Sequence, residues 1–410
     1  MNTYQMANQD IDSLDLKCLL TSKGVCVDPE VFDKFGATRR ISAESPARLS
    51  SLILSDGLAC SCTNVAPFIK ELSNRQRWTP EQKKTYDPQA VTPFDVKVVD
   101  GKLALLAYGE LLDYVDFPPA VDFYERTTVA GTPFEGNISI QGLDFATFAY
   151  LWPCQYAAAG HVCQYCHSGL QTRASVEAGQ KLGGCFSVAD SAEMLKWGVE
   201  HAGVRSLMAT GGSTYDGITE GKYFEEYLKA WNEALGGHLP GDMVLYLTPP
   251  KDLSMIDRYI ELGVDKLGIS IEVWNEDAAR IVTPGKMDVT TRERHLRAWD
   301  YVVEKYGPNY VFTNFILGVE PFEDLEAGVR AVSERGVFPG GSVWVPMGTE
   351  VNGRITSPGL DYYKRCKELW FEVYQKYDFV PACSMANGDI EPDIYRLIHF
   401  GDFREWKNVD

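Results

Sequence analysis

The segment with the clearest chemistry reads Cys154-Gln155-Tyr156-Ala157-Ala158-Ala159-Gly160-His161-Val162-Cys163-Gln164-Tyr165-Cys166. Its C-x8-C-x2-C spacing comes directly after a strand-like run at 137–151. Thiolate is a soft ligand that selects zinc, Cu(I) or iron–sulfur, and a Cys-x-x-Cys pair places two sulfurs on one side of a tight turn. Three cysteines in one loop therefore predict a metal site.

Two kinds of metal site fit this segment. Zinc needs a fourth ligand, which His161 or His167 can provide. An iron–sulfur cubane can instead leave one iron without a protein ligand, open to a small molecule. The aromatic Tyr165, just before the last cysteine, favours the cluster, and a zinc-dependent barrel enzyme or a zinc-stabilised scaffold protein stays as the alternative.

Composition and charge restrict the class of protein. The chain has 410 residues, of which 45% are hydrophobic and 23% charged, so it can bury a full core as a soluble globular protein. Its net charge of −18 repels phosphate backbones and anionic membranes, so neither nucleic acid nor a membrane is expected as a partner. With no signal-like N-terminus and no long apolar run, we expect a cytoplasmic protein whose ten cysteines are ligands or buried thiols.

Strand-like and helix-like patterns alternate from about residue 136, which is typical of a parallel sheet with crossover helices. The predicted strands are 137–142, 206–210, 243–247, 266–271, 310–316 and 342–345. The predicted helices are 189–202, 222–233, 253–262, 291–306, 322–335 and 361–377. This series predicts an α/β fold, a partial TIM-like (βα)6 barrel.

The remaining chain does not follow this alternation. We expect an N-terminal cap or lead-in domain at 1–135, the barrel at 136–350 and a C-terminal helix and tail at 351–410. Within the first part, 42–54 and 65–73 look helical, and 95–99 and 102–106 form a hairpin around Asp100-Gly101. Cys60, Cys62 and Cys383 have few possible partners nearby in sequence, which favours ordinary thiols.

These residues together resemble the radical SAM superfamily, whose hallmark is three cysteines in the loop after the first barrel strand, with an aromatic residue before the third. The usual spacing there is C-x3-C-x2-C, so five extra residues precede Cys163 in this chain. The resemblance implies that Cys154, Cys163 and Cys166 hold a [4Fe-4S] cluster and that Tyr165 packs near the adenine of S-adenosylmethionine. It also implies sensitivity to oxygen.

Later strand ends resemble the other cofactor-binding stations of the superfamily. Gly211-Gly212-Ser213 follows the second strand, where two glycines let the backbone approach a ligand, and resembles the station that binds the methionyl group. Ser270 and Glu272 share one face of the fourth strand, and because a carboxylate inside a barrel is costly without a partner, we expect Glu272 to pair with a cation or to hydrogen-bond a ligand. The resemblance implies that Ser270 and Glu272 hold polar groups of the cofactor together with Arg280. Asn314 lies at the fifth strand, near the station that brackets the adenine.

The function implied by this resemblance is reductive cleavage of S-adenosylmethionine, followed by hydrogen abstraction from a substrate by the 5′-deoxyadenosyl radical. The expected partners are a small-molecule substrate and an electron donor such as flavodoxin or ferredoxin. No segment resembles a cobalamin-binding domain, and the tail lacks the several cysteines of an auxiliary cluster. The residues do not identify the substrate.

Overall fold

A computed structural model of the protein describes residues 1–35, 51–61, 65–66, 92–118, 122–134, 137–152, 154–166, 183–184, 187–346, 350–354, 356–382 and 388–404. Within these ranges, the N-terminal part is mostly short strands: β1 (Thr3–Met6), β2 (Gln9–Asp12), α1 (Ser13–Lys23), β3 (Val25–Val27), α2 (Pro29–Phe35), β4 (Ser51–Ile53), β5 (Ala59–Ser61), β6 (Val65–Ala66), β7 (Phe94–Val99), β8 (Lys102–Ala107) and β9 (Glu110–Tyr114).

The second part alternates strands and helices: β10 (Ser139–Gln141), β11 (Phe145–Trp152), α3 (Gln155–Ala158), β12 (Gly183–Gly184), α4 (Val188–His201), β13 (Ser206–Gly211), α5 (Ile218–Leu235), β14 (Met243–Tyr246), α6 (Ser254–Glu261), β15 (Lys266–Gly268), α7 (Glu276–Val282), α8 (Arg292–Tyr306), β16 (Val311–Leu317), α9 (Phe322–Glu334) and β17 (Phe338–Val343). A π-helix, Lys286–Thr290, precedes α8. The chain continues with α10 (Leu360–Tyr377) and α11 (Glu391–His399).

The main sheet has the order β10-β11-β13-β14-β15-β16-β17, with β12 paired to β11. The six strands from β11 and β13 to β17 are parallel, and crossover helices connect most of them. This is the predicted partial TIM-like barrel of mixed α/β class. In such a sheet the loops after the strands gather at one carboxyl edge.

The first barrel strand lies later in the chain than predicted. The predicted strand 137–142 contains β10, which pairs antiparallel with β11 and is therefore an edge strand. The parallel strand is Phe145–Trp152, which pairs with β13 and ends just before Cys154. A short turn, Gly142 to Asp144, separates two apolar runs, and each run forms a strand. The pattern of apolar residues alone does not show which of the two strands is parallel to β13.

The other barrel elements lie close to their predicted positions, although β17 begins four residues earlier than the predicted strand 342–345. The hairpin of β7 and β8 is confirmed, and Asp100 and Gly101 have the positive φ angles, 50° and 77°, that a tight two-residue turn requires. The helices predicted at 42–54 and 65–73 are wrong where the structure describes them, because β4 and β6 occupy these positions. Residues 42–50 and 67–73 lie outside the described residues.

Apolar faces of the helices pack against the outer face of the sheet. Trp231 of α5 is fully buried and stacks on Phe148 of β11 with ring centroids 5.5 Å apart. Trp370 of α10 is also fully buried, and its indole N–H donates to the Pro339 carbonyl at 3.0 Å. These contacts fix the positions of the strands whose carboxyl-end loops form the candidate site.

The N-terminal helix α1 packs against α10. Lys367 of α10 forms ion pairs with Asp12, at 2.5 Å, and Asp15, at 2.7 Å. The fully buried Lys17 pairs with Asp393 of α11, which connects α1 to the C-terminal part of the chain. Among the helices that the structure describes, none has the length and apolar character of a membrane span.

Candidate active site

A cavity of about 240 Å³ lies at the carboxyl ends of the parallel strands. The three cysteines of the C-x8-C-x2-C segment and the Gly-Gly-Ser turn after β13 line it: Cys154, Cys163, Cys166, Gly211, Gly212 and Ser213. Tyr165, Ser270 and Glu272 line the same cavity. Nine of the eleven site residues expected from the sequence therefore meet in one place.

Cys154 is fixed by the turn after the neighbouring strand. It immediately precedes the short helix α3, and the backbone N–H of Ser213 donates to its Sγ at 3.4 Å. The backbone N–H of Gln155 donates in turn to the Ser213 carbonyl at 3.0 Å. Hydrogen bonds to a ligand sulfur are one of the means by which proteins tune iron–sulfur centres.

The second glycine of the turn is needed for contact with the cysteine loop. A Cβ atom at Gly212 would lie 2.5 Å from the Cα of Cys154 and 2.7 Å from its nitrogen. One at Gly211 would lie 2.9 Å from the carbonyl oxygen of Leu151. The glycine pair therefore allows β13 to approach the end of β11 closely, and this approach alone is a sufficient reason for both glycines.

Cys163 and Cys166 lie in a tight turn, in which the Cys166 N–H donates to the Cys163 carbonyl at 3.1 Å. The Gln164 N–H donates to Val282 at 2.9 Å, which ties the turn to the end of α7. Burial raises the pKa of the Cys163 thiol, and the nearby Cys166 raises it further. Across the part of the chain that the structure describes, no three His, Cys, Asp or Glu side chains converge closely enough to hold a metal ion.

Glu272 connects the cysteine turn to the far wall of the cavity. Its carboxylate accepts hydrogen bonds from the Tyr165 hydroxyl and, at 2.6 Å, from Lys286 Nζ. Lys286 also donates to the Ser270 carbonyl at 2.5 Å. Burial, followed by the charge of Glu272, raises the pKa of Tyr165 well above its ordinary value.

The expectation that Glu272 has a cationic or ligand partner is met by a residue that the sequence did not indicate. Lys286 begins the π-helix after α7, and its sequence neighbours Thr283-Pro284-Gly285 suggest only a turn. Glu272 itself has a φ angle of 73°, which is unusual outside glycine and is common at functional sites. Because a buried carboxylate is costly without a cation, Glu272 itself indicated that a cationic residue lies nearby, although not which one.

Arg280 and Asn314 lie outside the cavity lining. Arg280 is on the exposed side of α7, where its side chain pairs with Glu276 at 3.4 Å and is 54% exposed, so the structure does not bring it to the cofactor residues. Asn314 is one strand further along the sheet. Its backbone N–H donates to Ser270 Oγ at 3.2 Å and its side chain donates to the Tyr246 hydroxyl at 3.0 Å.

Residues 157–332 match the Radical SAM superfamily, a range that contains Cys163 and Cys166 and begins after Cys154. The chain contains a radical SAM domain. This domain supports a radical SAM enzyme and does not show which reaction the chain catalyses.

Individual relatives of this radical SAM enzyme are distant. Bacteriochlorophyllide c C-7(1)-hydroxylase of Chlorobaculum limnaeum is 29% identical over 132 residues, which are 32% of this chain and 33% of the relative. The match thus spans about a third of the length of that relative. Coproporphyrinogen III oxidase (HemN) from Escherichia coli has 14% identity and a TM-score of 0.37, covering 58% of this chain and 53% of that one. Methylornithine synthase (PylB) has 14% identity and a TM-score of 0.42, covering 65% and 78%.

A buried carboxyl, Glu220, positions two loops of this radical SAM enzyme, and sequence reasoning missed it. Glu220 accepts from the backbone N–H and hydroxyl of Thr214, at 3.1 and 2.9 Å, and from the backbone N–H of Thr248 at 2.6 Å. Thr248 lines the cavity after β14, and Thr214 follows the Gly-Gly-Ser turn. Burial raises the pKa of Glu220 to about 7.

The possible zinc ligands are only partly described. His161 lines the cavity, with its Nδ1 3.8 Å from Asp288, whereas His167 lies outside the described residues. Cys60 is fully buried in β5, while Cys62 and Cys383 also lie outside the described residues.

Proposed function

We propose that this enzyme binds a [4Fe-4S] cluster through Cys154, Cys163 and Cys166, binds S-adenosylmethionine beside it, and abstracts hydrogen from a small-molecule substrate. The observation that carries the proposal is that all three thiols and the Gly-Gly-Ser turn line one cavity at the carboxyl edge of the sheet. Three soft sulfur donors in a partly enclosed cavity fit an iron–sulfur cluster. The division into a cap at 1–135, a barrel at 136–350 and a C-terminal extension at 351–410 belongs to the same proposal.

The cluster, when bound, supplies the electron that cleaves S-adenosylmethionine to methionine and the 5′-deoxyadenosyl radical. The chain's own residues hold and orient the reactants. Ser213 donates its backbone N–H to the Cys154 sulfur. Tyr165 and Lys286 keep the carboxylate of Glu272 in a fixed position at the cavity wall, where it can accept hydrogen bonds from the cofactor's hydroxyl or ammonium groups.

The substrate side of the proposal rests on the shape of the barrel. Ser270 and Tyr246 line the cavity, and both are hydrogen-bonded to Asn314 of β16, so we place the substrate on this side of the cavity, next to the cofactor. The electron donor is a small redox protein such as flavodoxin or ferredoxin. The reaction of the hydroxylase relative is a property of that protein, and the short match leaves the reaction class of this chain open.

The test is anaerobic reconstitution of the full chain with iron and sulfide. We expect the broad visible absorption of thiolate-ligated iron, and formation of 5′-deoxyadenosine from S-adenosylmethionine under a strong reductant. A colourless protein that binds one zinc ion and loses it in the variant His161→Ala would support the zinc alternative and contradict the proposal. The variant Arg280→Gln serves as a control, because its side chain lies outside the cavity.

A further inference from the structure

The inner face of the barrel continues beyond the cofactor cavity to β17. Gly340 and Ser342 alternate with Gly341, so they point to the opposite side of the strand. A Cβ at Gly341 would lie 3.0 Å from the Trp370 ring of α10, which places Gly341 on the outer, helix-covered side. Gly340 and Ser342 therefore face the inside of the barrel, as does Asn314, which is paired with Gly340.

The chain after residue 387 extends this inner wall. The Ile390 N–H donates to Gly341 at 3.1 Å and the Val343 N–H donates to Gly388 at 3.0 Å, so this segment pairs antiparallel with β17. The side chain of Ile390 lies on the outer side, 3.0 Å from the Cβ position of Gly341. Asp389 and Glu391, one residue to either side, are on the inner side, where Asp389 accepts a hydrogen bond from the Ser342 hydroxyl.

Near these two carboxyl groups lies a hydrogen-bond acceptor without a donor, the side-chain oxygen of Asn314. Asn314 is 9% exposed, and its Oδ1 has no hydrogen-bond partner among the described residues. This oxygen lies 2.0 Å from the Cβ position of Gly340, and Glu391 Oε1 lies 3.4 Å from the same point. A side chain at residue 340 would collide with Asn314 Oδ1, so the glycine lets this oxygen lie close to β17 and beside Glu391, whose other oxygen, Oε2, accepts from the Gly341 N–H at 2.9 Å.

The charges around this space do not balance. Asp393 pairs with the two nearby cations, Lys17 and, at 2.9 Å, Arg396, and the charge of Lys17 also acts on Asp389 and Glu391. Asp389 and Glu391 add two carboxyls, so three acids meet two cations. Burial raises the pKa of both carboxyl groups, that of Glu391 to about 8. The charge of Asp389 adds to the rise at Glu391, and the charges of Asp393 and Glu272 add to the rise at Asp389. The neighbouring Glu272 has Lys286 as its own partner.

We propose that Asp389, Glu391 and Asn314 form a substrate subsite that binds an amino or other cationic nitrogen group. A cation with N–H donors would satisfy Asn314 Oδ1, replace the proton that the surplus acid otherwise holds near neutral pH, and donate hydrogen bonds to the three acceptors. A substrate that places a carboxylate at this position is disfavoured by the same charges. The inference rests on the proposed function, since it names the substrate class of that site.

The subsite adjoins the cofactor cavity. Ser270 lines the cavity and accepts from the Asn314 backbone, and Tyr246 lines it and accepts from the Asn314 side chain. A substrate anchored by its nitrogen at Asp389 and Glu391 would thus extend its carbon skeleton towards the cysteine side of the barrel.

The test measures binding of three probes, n-hexylammonium, n-hexanol and n-hexanoate, to the full reconstituted chain by isothermal titration calorimetry near neutral pH. We expect hexylammonium to bind with one-to-one stoichiometry and hexanoate not to bind. Asp389→Asn and Glu391→Gln should each weaken hexylammonium binding by about tenfold, since each removes a charge-assisted hydrogen bond. Asp378→Asn is the matched control, because that side chain is 86% exposed on the surface, and it should leave binding unchanged.

Melting temperatures of all variants are compared with the wild type before titration. Hexanoate binding as tightly as hexylammonium in the wild-type chain would overturn the inference even if neither variant folds. Unchanged hexylammonium affinity in a folded Asp389→Asn or Glu391→Gln chain would overturn it as well. Iron content and 5′-deoxyadenosine formation are measured on the same samples. A chain that holds its cluster and cleaves S-adenosylmethionine but does not bind the amine contradicts only the subsite, whereas a chain without a cluster contradicts the proposed function.

Discussion

Replacing Lys286 by methionine should destabilise the cofactor cavity through Glu272. The substitution keeps the length of the side chain and removes its charge. In the wild-type chain, Lys286 Nζ lies 2.6 Å from Glu272 Oε1 and 2.5 Å from the Ser270 carbonyl. The two charged side chains are only 16% and 13% exposed, so little water is available to replace the lost partner.

The expected loss is about 3 kcal/mol, because removing one partner of a buried ion pair costs about 3–5 kcal/mol and slight exposure places this pair at the lower end. For a chain of this size that corresponds to a melting temperature lower by roughly 5 °C. Adding Glu272→Gln to Lys286→Met should restore part of the loss, since the unpaired charge is then gone.

The assay is thermal and denaturant unfolding of the chain, with Lys305→Met as the matched control. Lys305 also lies 2.6 Å from a carboxylate, Asp257, but its side chain is 48% exposed, so this pair should contribute much less. The reasoning is refuted if Lys286→Met costs no more stability than Lys305→Met, or if the double variant is less stable than Lys286→Met alone.

Three further predictions concern Gly212, which lines the cavity, and Glu220 and Arg280, which do not. Gly212→Ala should lower the iron bound after reconstitution, because its Cβ would collide with the Cys154 backbone. Gly359→Ala should not lower it, because there is open space around residue 359, and equal iron in both variants would contradict the steric argument. Glu220 has a folded pKa of about 7 against an ordinary 4.5, so the stability it contributes is complete below pH 4.5 and is lost as the pH rises through 7. Glu220→Gln should remove a decline on the order of 3 kcal/mol in the unfolding free energy across that window, and identical pH profiles would contradict this. Arg280→Gln should leave the affinity for S-adenosylmethionine unchanged, measured by equilibrium dialysis, and a large loss would return Arg280 to the cofactor site.

The sequence predicted the barrel and most of the residues that line the cavity. Parallel strands with crossover helices have strong periodic patterns, and their carboxyl ends gather polar residues at one edge, so Cys154, Ser213 and Glu272 could be placed together from strand positions alone. The prediction that Glu272 needs a partner followed from the cost of burying a charge.

What the sequence could not show depends on contacts between distant segments. Lys286, the first residue of the π-helix, reaches Glu272 from 14 positions further along the chain, and no periodic pattern indicates this contact. Arg280 was expected at the site from its closeness in sequence, yet its position on α7 directs it outward. Asp389 joins the inner wall because its segment pairs with β17, a contact between residues 47 positions apart.

The central claim is that all three cysteines ligate one cluster in spite of the long gap after Cys154. The most direct measurement is iron per chain after anaerobic reconstitution of Cys154→Ala, Cys163→Ala and Cys166→Ala, with Cys366→Ala as a control buried in α10. The account predicts about four irons in the wild type and the control, and a severe loss in each of the other three. A full complement of iron in Cys154→Ala would contradict the three-cysteine site.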